Sequence, residues 1–367
     1  MPNASGSRSF FAGIVAGLLL LAAFAIPLRE RALAGQNDFV GLYVGARLVN
    51  TPDLYSATAA RRIQFEITEG KAHFPALSFI RLPFYAVLLS PLGRLPYPTA
   101  YAIFQAVNLA AIAALLFLAY RMYPDVLVLA AFSIPLLIAF ANGQDVAIVA
   151  ALAIGAYLLA AGGRDFAAGL LLSLGAIKIH LFVLVPVALI LHRRWRFLAG
   201  GVCGGAALTG LCFLGGGLDW PGRMFVMLSD PEVHPGAEGM TTFRNLVWWI
   251  AGREDTALEL AMIATGVAAF CYMAWRIRDF RAVYALALAG GLLVSHHAYH
   301  HDLAILLAVV PLAMTSAASK LTKSLTTIAA LPTTSLMMLA GAPVSAGVPL
   351  LLCGVLLSGL RRADSPP

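Results

Sequence analysis

Three groups of residues in this chain carry chemistry that an apolar sequence does not need for folding. Asp38, within Asn37-Asp38-Phe39, is a lone carboxylate a short way past the first apolar segment. A carboxylate at the edge of an apolar phase can take the proton of a hydroxyl group, and partial withdrawal from water makes such a group a stronger base. Lys178 and His180 lie inside an apolar run. An ammonium there is costly without an anion or a water-filled cavity, which marks the pair as phosphate partners. The plainer alternative is a lysine that snorkels to the interface or pairs with an acid such as Asp145. The third group is Ser295-His296-His297-Ala298-Tyr299-His300-His301-Asp302, with four imidazoles in six residues. His297 and His301 share a face if this stretch is helical, so phosphate, sugar hydroxyls, a metal ion or a purely structural cluster all fit the spacing.

Weaker signals surround these. Asn142, Gln144 and Asp145 flank the helix-breaking Gly143, and Arg81 stands beside Pro83. Each can bind sugar or phosphate, and each is equally at home as a satisfied turn residue. Asp219-Trp220, Phe243 and Trp248-Trp249 can stack on sugar rings, although aromatic belts at a membrane interface are the commoner use.

The elements that must position these residues are membrane helices. The chain has 367 residues, 60% hydrophobic and only 12% charged, with mean hydropathy +0.83. A soluble domain carries about 25% charged residues, so the expected class is an all-α polytopic membrane protein forming a single membrane domain over 1–367. The net charge of +7 sits in short basic clusters between apolar runs, where it sets topology, and gives no support to nucleic-acid binding. The four cysteines all fall in apolar stretches, so neither a disulfide framework nor a zinc ligand set is indicated.

Residues 10–28 read as an uncleaved first span, and 29–80 as an outer loop. Further runs at 81–93, 98–120, 124–141, 145–161, 166–177, 181–191, 197–215, 256–275, 282–295, 303–318, 325–341 and 345–360 suggest about twelve spans in all. Basic clusters at Arg193-Arg194-Arg196, Arg276-Arg278-Arg281, Lys320-Lys323 and Arg361-Arg362 belong on the cytoplasmic side, with both termini. That frame puts 29–80, the second loop at 216–255 and the histidine turn at 296–302 together on the outer face. Between 81 and 192 the parity fails unless one run is re-entrant or 166–191 is one broken helix that buries Lys178 and His180.

In Asn37 to Tyr55, Phe39, Leu42, Tyr43, Ala46 and Val49 follow helical spacing and can lie along the membrane interface. Asp38 is then at a helix start, where capping is the ordinary role of an aspartate. The order of features adds more: Asp38-Phe39 with Tyr43 and Ala46, Asp53-Leu54-Tyr55, Ser90-Pro91-Leu92 before Leu95-Pro96, Asn142-Gly143-Gln144, Ala168-Gly169 leading to Lys178, and Arg193-Arg194-Trp195. Over about 35 to 315 this resembles the GT-C class of membrane glycosyltransferases, and within it glycosyltransferase family 87, the polyprenol-phosphate-mannose-dependent mannosyltransferase type. The chain departs from that pattern at the entry after the outer loop, where His73-Phe74-Pro75 and Arg81-Leu82-Pro83 replace a Tyr-Pro-Pro type. It departs again where Ile179-His180, rather than a proline, follows Lys178.

The resemblance implies transfer of a hexose, mannose foremost, from a polyprenyl-phosphate-sugar donor to a glycolipid or glycan acceptor on the outer face of a bacterial-type inner membrane. It implies inversion with Asp38 as general base, and no metal or other cofactor. The substrate-binding candidates are Tyr43, Arg81, Asn142, Gln144, Lys178, His180, His297 and His300. No Walker-type loop, dinucleotide fingerprint, His-Glu-x-x-His or nucleophile elbow occurs in the sequence, which fits a lipid-linked donor. The competing readings are a lipid or glycan transporter using the basic residues as an anion path, and a membrane acyltransferase with a histidine base near 296–301.

Overall fold

The computed structural model describes residues 33–70, 77–230, 233 and 236–316, with scattered positions in 14–23 and at 349, 353 and 354. Most of the expected first span, His73-Phe74-Pro75, the runs at 325–341 and 345–360, and the clusters Lys320-Lys323 and Arg361-Arg362 lie outside the described residues.

The described chain is helical and contains no strand, apart from one isolated bridge between Met240 and Tyr299. In order the helices are α1 (Phe39–Leu48), α2 (Ala57–Ile67), α3 (Pro83–Leu89), α4 (Tyr97–Met122), α5 (Val126–Ala131), α6 (Ile134–Ala141), α7 (Val146–Ala161), α8 (Asp165–Ser173), α9 (Val185–Leu191), α10 (Trp195–Gly216), α11 (Trp220–Leu228), α12 (Phe243–Ala251), α13 (Thr256–Arg276), α14 (Phe280–Val294) and α15 (Leu306–Thr315). A 3₁₀ segment, Leu174–Phe182, follows α8, and another, His300–Ile305, precedes α15.

Among the described residues, four helical stretches are long and apolar enough to cross a membrane: Tyr97–Met122, Asp165–Phe182, Trp195–Gly216 and Thr256–Arg276. Shorter apolar helices, such as Val146–Ala161 and Phe280–Val294, accompany them. Several of the expected spans are thus broken pieces. The run 124–141 divides where Ser133 caps α6 through its hydroxyl, accepting from Leu136 N at 3.3 Å, just before Pro135. The run 81–93 yields only the seven residues of α3. The stretch 166–191 is a broken helix, kinked at Lys178 (φ −130°, ψ 61°).

The expectation that Phe39, Leu42, Tyr43 and Ala46 lie along an interface is corrected. Nine of the ten α1 residues are buried. A helix apolar on every side gains most by full burial, and Gly45 lets the Phe79 ring lie directly on the backbone. The amphipathic helix of this loop is α2, which buries Ala59, Ala60 and Ile63 and leaves Arg61 and Arg62 exposed.

Packing of α8 on α10 shows how the bundle closes. Gly200, Gly204, Leu208 and Cys212 repeat every fourth residue on α10 and are all buried. A Cβ on Gly200 would strike the Phe166 carbonyl, and one on Gly169 the Phe197 carbonyl. In lipid, where apolar surface is not driven together by water, such close backbone approach is a principal source of helix association. Gly200→Leu therefore lowers stability by about 1–3 kcal/mol or prevents assembly, read as a lower unfolding temperature in detergent, whereas Gly210→Leu, with open space around it, leaves it unchanged.

Candidate active site

The site is built around the turn Asn142-Gly143-Gln144-Asp145 between α6 and α7. Gly143 has φ +64°, a region open to glycine, and a Cβ there would lie 2.7 Å from the Phe39 Cβ. The close approach lets the Asn142 carbonyl accept from Phe39 N at 3.2 Å and brings Gln144 to the start of α1. Gln144 Nε2 donates to Asp38 Oδ2 at 2.8 Å. Asp38 makes no capping bond. Capping falls to Asn37, whose Oδ1 accepts from Phe39 N at 2.9 Å and from the Tyr97 hydroxyl at 3.1 Å. Asp38 is half-buried, and among the described residues its Oδ1 takes no hydrogen bond.

One residue along the same turn, Asp145 enters a buried charge network. Arg81 Nε lies 3.5 Å from Asp145 Oδ2, Lys178 Nζ lies 3.6 Å from Asp145 Oδ1, and Lys178 Nζ donates to Asp302 Oδ1 at 2.7 Å. The four residues are 9%, 0%, 2% and 1% exposed for Arg81, Asp145, Lys178 and Asp302. Two cations offset two carboxylates, so the ammonium at the helix break is compensated by the protein itself, as buried charges require. The kink frees the backbone that aims Lys178 at both acids. Arg81 is held by its own backbone, whose carbonyl accepts from the Tyr55 hydroxyl at 2.9 Å.

Asp302 ties in the histidine turn. Its Oδ2 accepts from Tyr299 N at 2.9 Å and lies 3.6 Å from His301 Nε2. The His180 and His297 rings meet edge to face at 6.2 Å, and His297 meets Tyr299 at 5.0 Å. His297 precedes the helical segment that begins at His300, so it and His301 do not share a helical face as their spacing suggested. The charge of Asp38 reaches both the Tyr299 hydroxyl and the His301 ring. The second loop joins through Thr241 N donating to the Ala298 carbonyl at 2.8 Å, and through Arg244, which bonds Glu254 at 2.8 Å and approaches His296 Nε2 at 3.5 Å. His296 Nδ1 is 2.8 Å from Glu259 Oε1. The three polar stretches expected on one face thus meet at one place.

Of the sequence candidates, Asp38, Asn142, Gln144, Arg81, Lys178, His180 and His297 gather here, and His300 opens the adjoining 3₁₀ segment. Tyr43 is packed among Phe39 and Tyr97, and its hydroxyl donates to the Leu95 carbonyl at 2.7 Å, so its bonding is internal. The Lys178–Asp145 pairing weighed from the sequence is present, whereas Asp302 as a partner of Lys178, and Arg244, were missed. Asp302 was findable, because a lone acid next to an apolar run calls for a partner and Lys178 is the lone base within one.

The glycosyltransferase family 87 model matches residues 79–296. The chain belongs to that family. It is accordingly a glycosyltransferase, and acts on a sugar donor and an acceptor. The match is narrower than the stretch over which the motifs resemble the family. It takes in Arg81, the 142–145 turn, Lys178 and His180, while Asp38 and His297–Asp302 are joined to it by the contacts above. No curated protein and no solved structure matches the chain.

Two outcomes follow from this geometry. Lys178→Met or Asp302→Leu alone strands a buried charge and costs about 3–5 kcal/mol, whereas Lys178→Met with Asp302→Leu costs less than the two added together. Unfolding of the three variants in detergent, closed as a double-mutant cycle, measures that coupling. Burial in the loop between α14 and the 3₁₀ segment pulls the His297 imidazole down to about 4, with the Asp302 charge opposing. His297 then stays neutral in the fold while the unfolded chain protonates it below about 6.5. Its contribution is full above that pH and is lost as pH falls toward 4, so His297→Asn lessens the fall in unfolding temperature between pH 6.5 and 4.5.

Proposed function

We propose that this family 87 glycosyltransferase moves a hexose, mannose foremost, from a polyprenyl-phosphate carrier to a hydroxyl of a glycolipid or glycan, with Asp38 as general base. The observation that carries this reading is the state of Asp38: it makes no capping bond, Gln144 fixes one oxygen at 2.8 Å, and among the described residues the other takes no hydrogen bond. A base must be held in one orientation and still have a lone pair for the incoming proton, and this carboxylate meets both conditions.

In the reaction, the acceptor hydroxyl gives its proton to Asp38 as its oxygen attacks the anomeric carbon from the face opposite the phosphate. The bond from that carbon to the phosphate oxygen breaks, the electron pair leaves with the polyprenyl phosphate, and the anomeric centre inverts. The departing phosphate calls for cationic or hydrogen-bonding groups rather than a proton, and the turn of His297, His300 and His301, whose last ring feels the Asp38 charge, is the group of donors we assign to it. Lys178 acts as a positioning residue through Asp302, which in turn fixes Tyr299 and His301. Asn142 serves through its backbone, and Tyr43 supports α1 by packing. The reaction runs at the outer face of a bacterial-type inner membrane, consistent with the basic clusters that set the topology, and needs no metal.

The test is transfer from radiolabelled polyprenyl-phosphate-mannose into extractable lipid and polymer by membranes carrying the wild-type chain or Asp38→Asn. Asn keeps the Gln144 contact in shape but cannot accept the proton, so transfer falls by about 10²–10⁴-fold in a variant that remains monodisperse in detergent. Equal transfer by both proteins removes Asp38 from the mechanism.

A further inference from the structure

Among the described residues, several buried polar atoms around Asp145 lack a hydrogen-bond partner at full geometry. Neither carboxylate oxygen of Asp145 accepts one, and Arg81 Nε, the Tyr85 hydroxyl and His180 Nε2 are likewise unbonded. The two cations stand off from Asp145 at 3.5 and 3.6 Å, whereas Lys178 closes on Asp302 at 2.7 Å. The Tyr85 hydroxyl interacts with Asp145 without reaching full hydrogen-bond geometry. His180 lies within reach of the Arg81 and Lys178 charges. A fully buried carboxylate without a donor at full hydrogen-bond geometry is costly.

The charge balance says what kind of group completes this set. Arg81 and Lys178 are already offset by Asp145 and Asp302, so a phosphate brought against Asp145 would meet a carboxylate with no surplus positive charge to hold it. A neutral hydroxylated ring supplies what each atom lacks: O–H donors for Asp145, and oxygen acceptors for Arg81 Nε and the Tyr85 hydroxyl. The position is right, since Asp145 directly follows Gln144, the residue bonded to Asp38.

Resting on the lipid-phosphate-sugar reading above, we propose that Asp145, with Arg81, Tyr85 and His180, is the subsite that recognises hydroxyls of the transferred sugar and selects among hexoses. The lipid phosphate is not bound there. Sites that hydrogen-bond a substrate hydroxyl discriminate strongly against ligands lacking it, because their own polar groups are then left unpaired.

The experiment compares binding of polyprenyl phosphate, polyprenyl-phosphate-mannose and polyprenyl-phosphate-glucose to the full-length protein purified in detergent. The wild type binds at least one sugar-loaded carrier about tenfold or more tighter than the bare carrier. Asp145→Asn abolishes that advantage while leaving bare-carrier affinity within about twofold. Tyr85→Phe removes a hydroxyl whose contact with Asp145 falls short of full hydrogen-bond geometry, so the fold is kept, and it still reduces the advantage by about threefold or more. It decides the matter if Asp145→Asn does not fold. Equal weakening of bare and loaded carriers, or an unchanged advantage in Tyr85→Phe, overturns the subsite and leaves the transferase reading standing. A wild type that binds none of the three lipids overturns the donor reading and this inference with it.

Discussion

Everything at the centre of this molecule depends on neutralising a lysine inside an apolar bundle. Lys178 is carried by a helix that must break to present it, and the break costs backbone hydrogen bonds that only a buried, protein-lined location can restore. The acids that compensate it come from distant parts of the chain: Asp145 from the turn before α7, and Asp302 from the segment before α15. Arg81, from the approach to α3, completes the balance. Four segments are thereby pinned at one point, and removing any of these charges leaves the others uncompensated.

The turn that delivers Asp145 also delivers Gln144, so the ionic core and the catalytic candidate share a mounting. Gly143 makes this possible by bringing the turn against Phe39, while Asn37 takes over the capping that would otherwise engage Asp38. On the other side Asp302 divides its two oxygens between Lys178 and the backbone of Tyr299. The histidine turn is thus positioned by the same network. Rigidity at Asp38 derives from packing of α1 and α4 aromatics and from these bonds, rather than from α1 lying at an interface.

How much was legible beforehand varied with the kind of interaction. Asp38, Lys178, His180 and the histidine turn stood out because charge and imidazole are conspicuous against an apolar background. The convergence of three polar stretches followed from the alternation of basic clusters. The burial of α1 was not legible, since its helical spacing fits an interface as well as a core, and only the neighbours Phe79, Tyr97 and Phe104 decide between them. The lengths of the helices were misread where proline and serine divide an apolar run, because hydropathy averages over the break.

The sequence by itself determined that this is a helical membrane protein of glycosyltransferase character, since composition and ordered motifs are properties of the chain alone. It also determined which residue types were available for a base and for cations. Only the tertiary structure decided the partners. Whether Lys178 faces a ligand or an acid, and whether Asp38 caps a helix or is left with a free lone pair, depends on contacts between residues 124 and 106 positions apart in the chain. Local sequence carries no record of those distances, because Coulomb attraction and desolvation act through space.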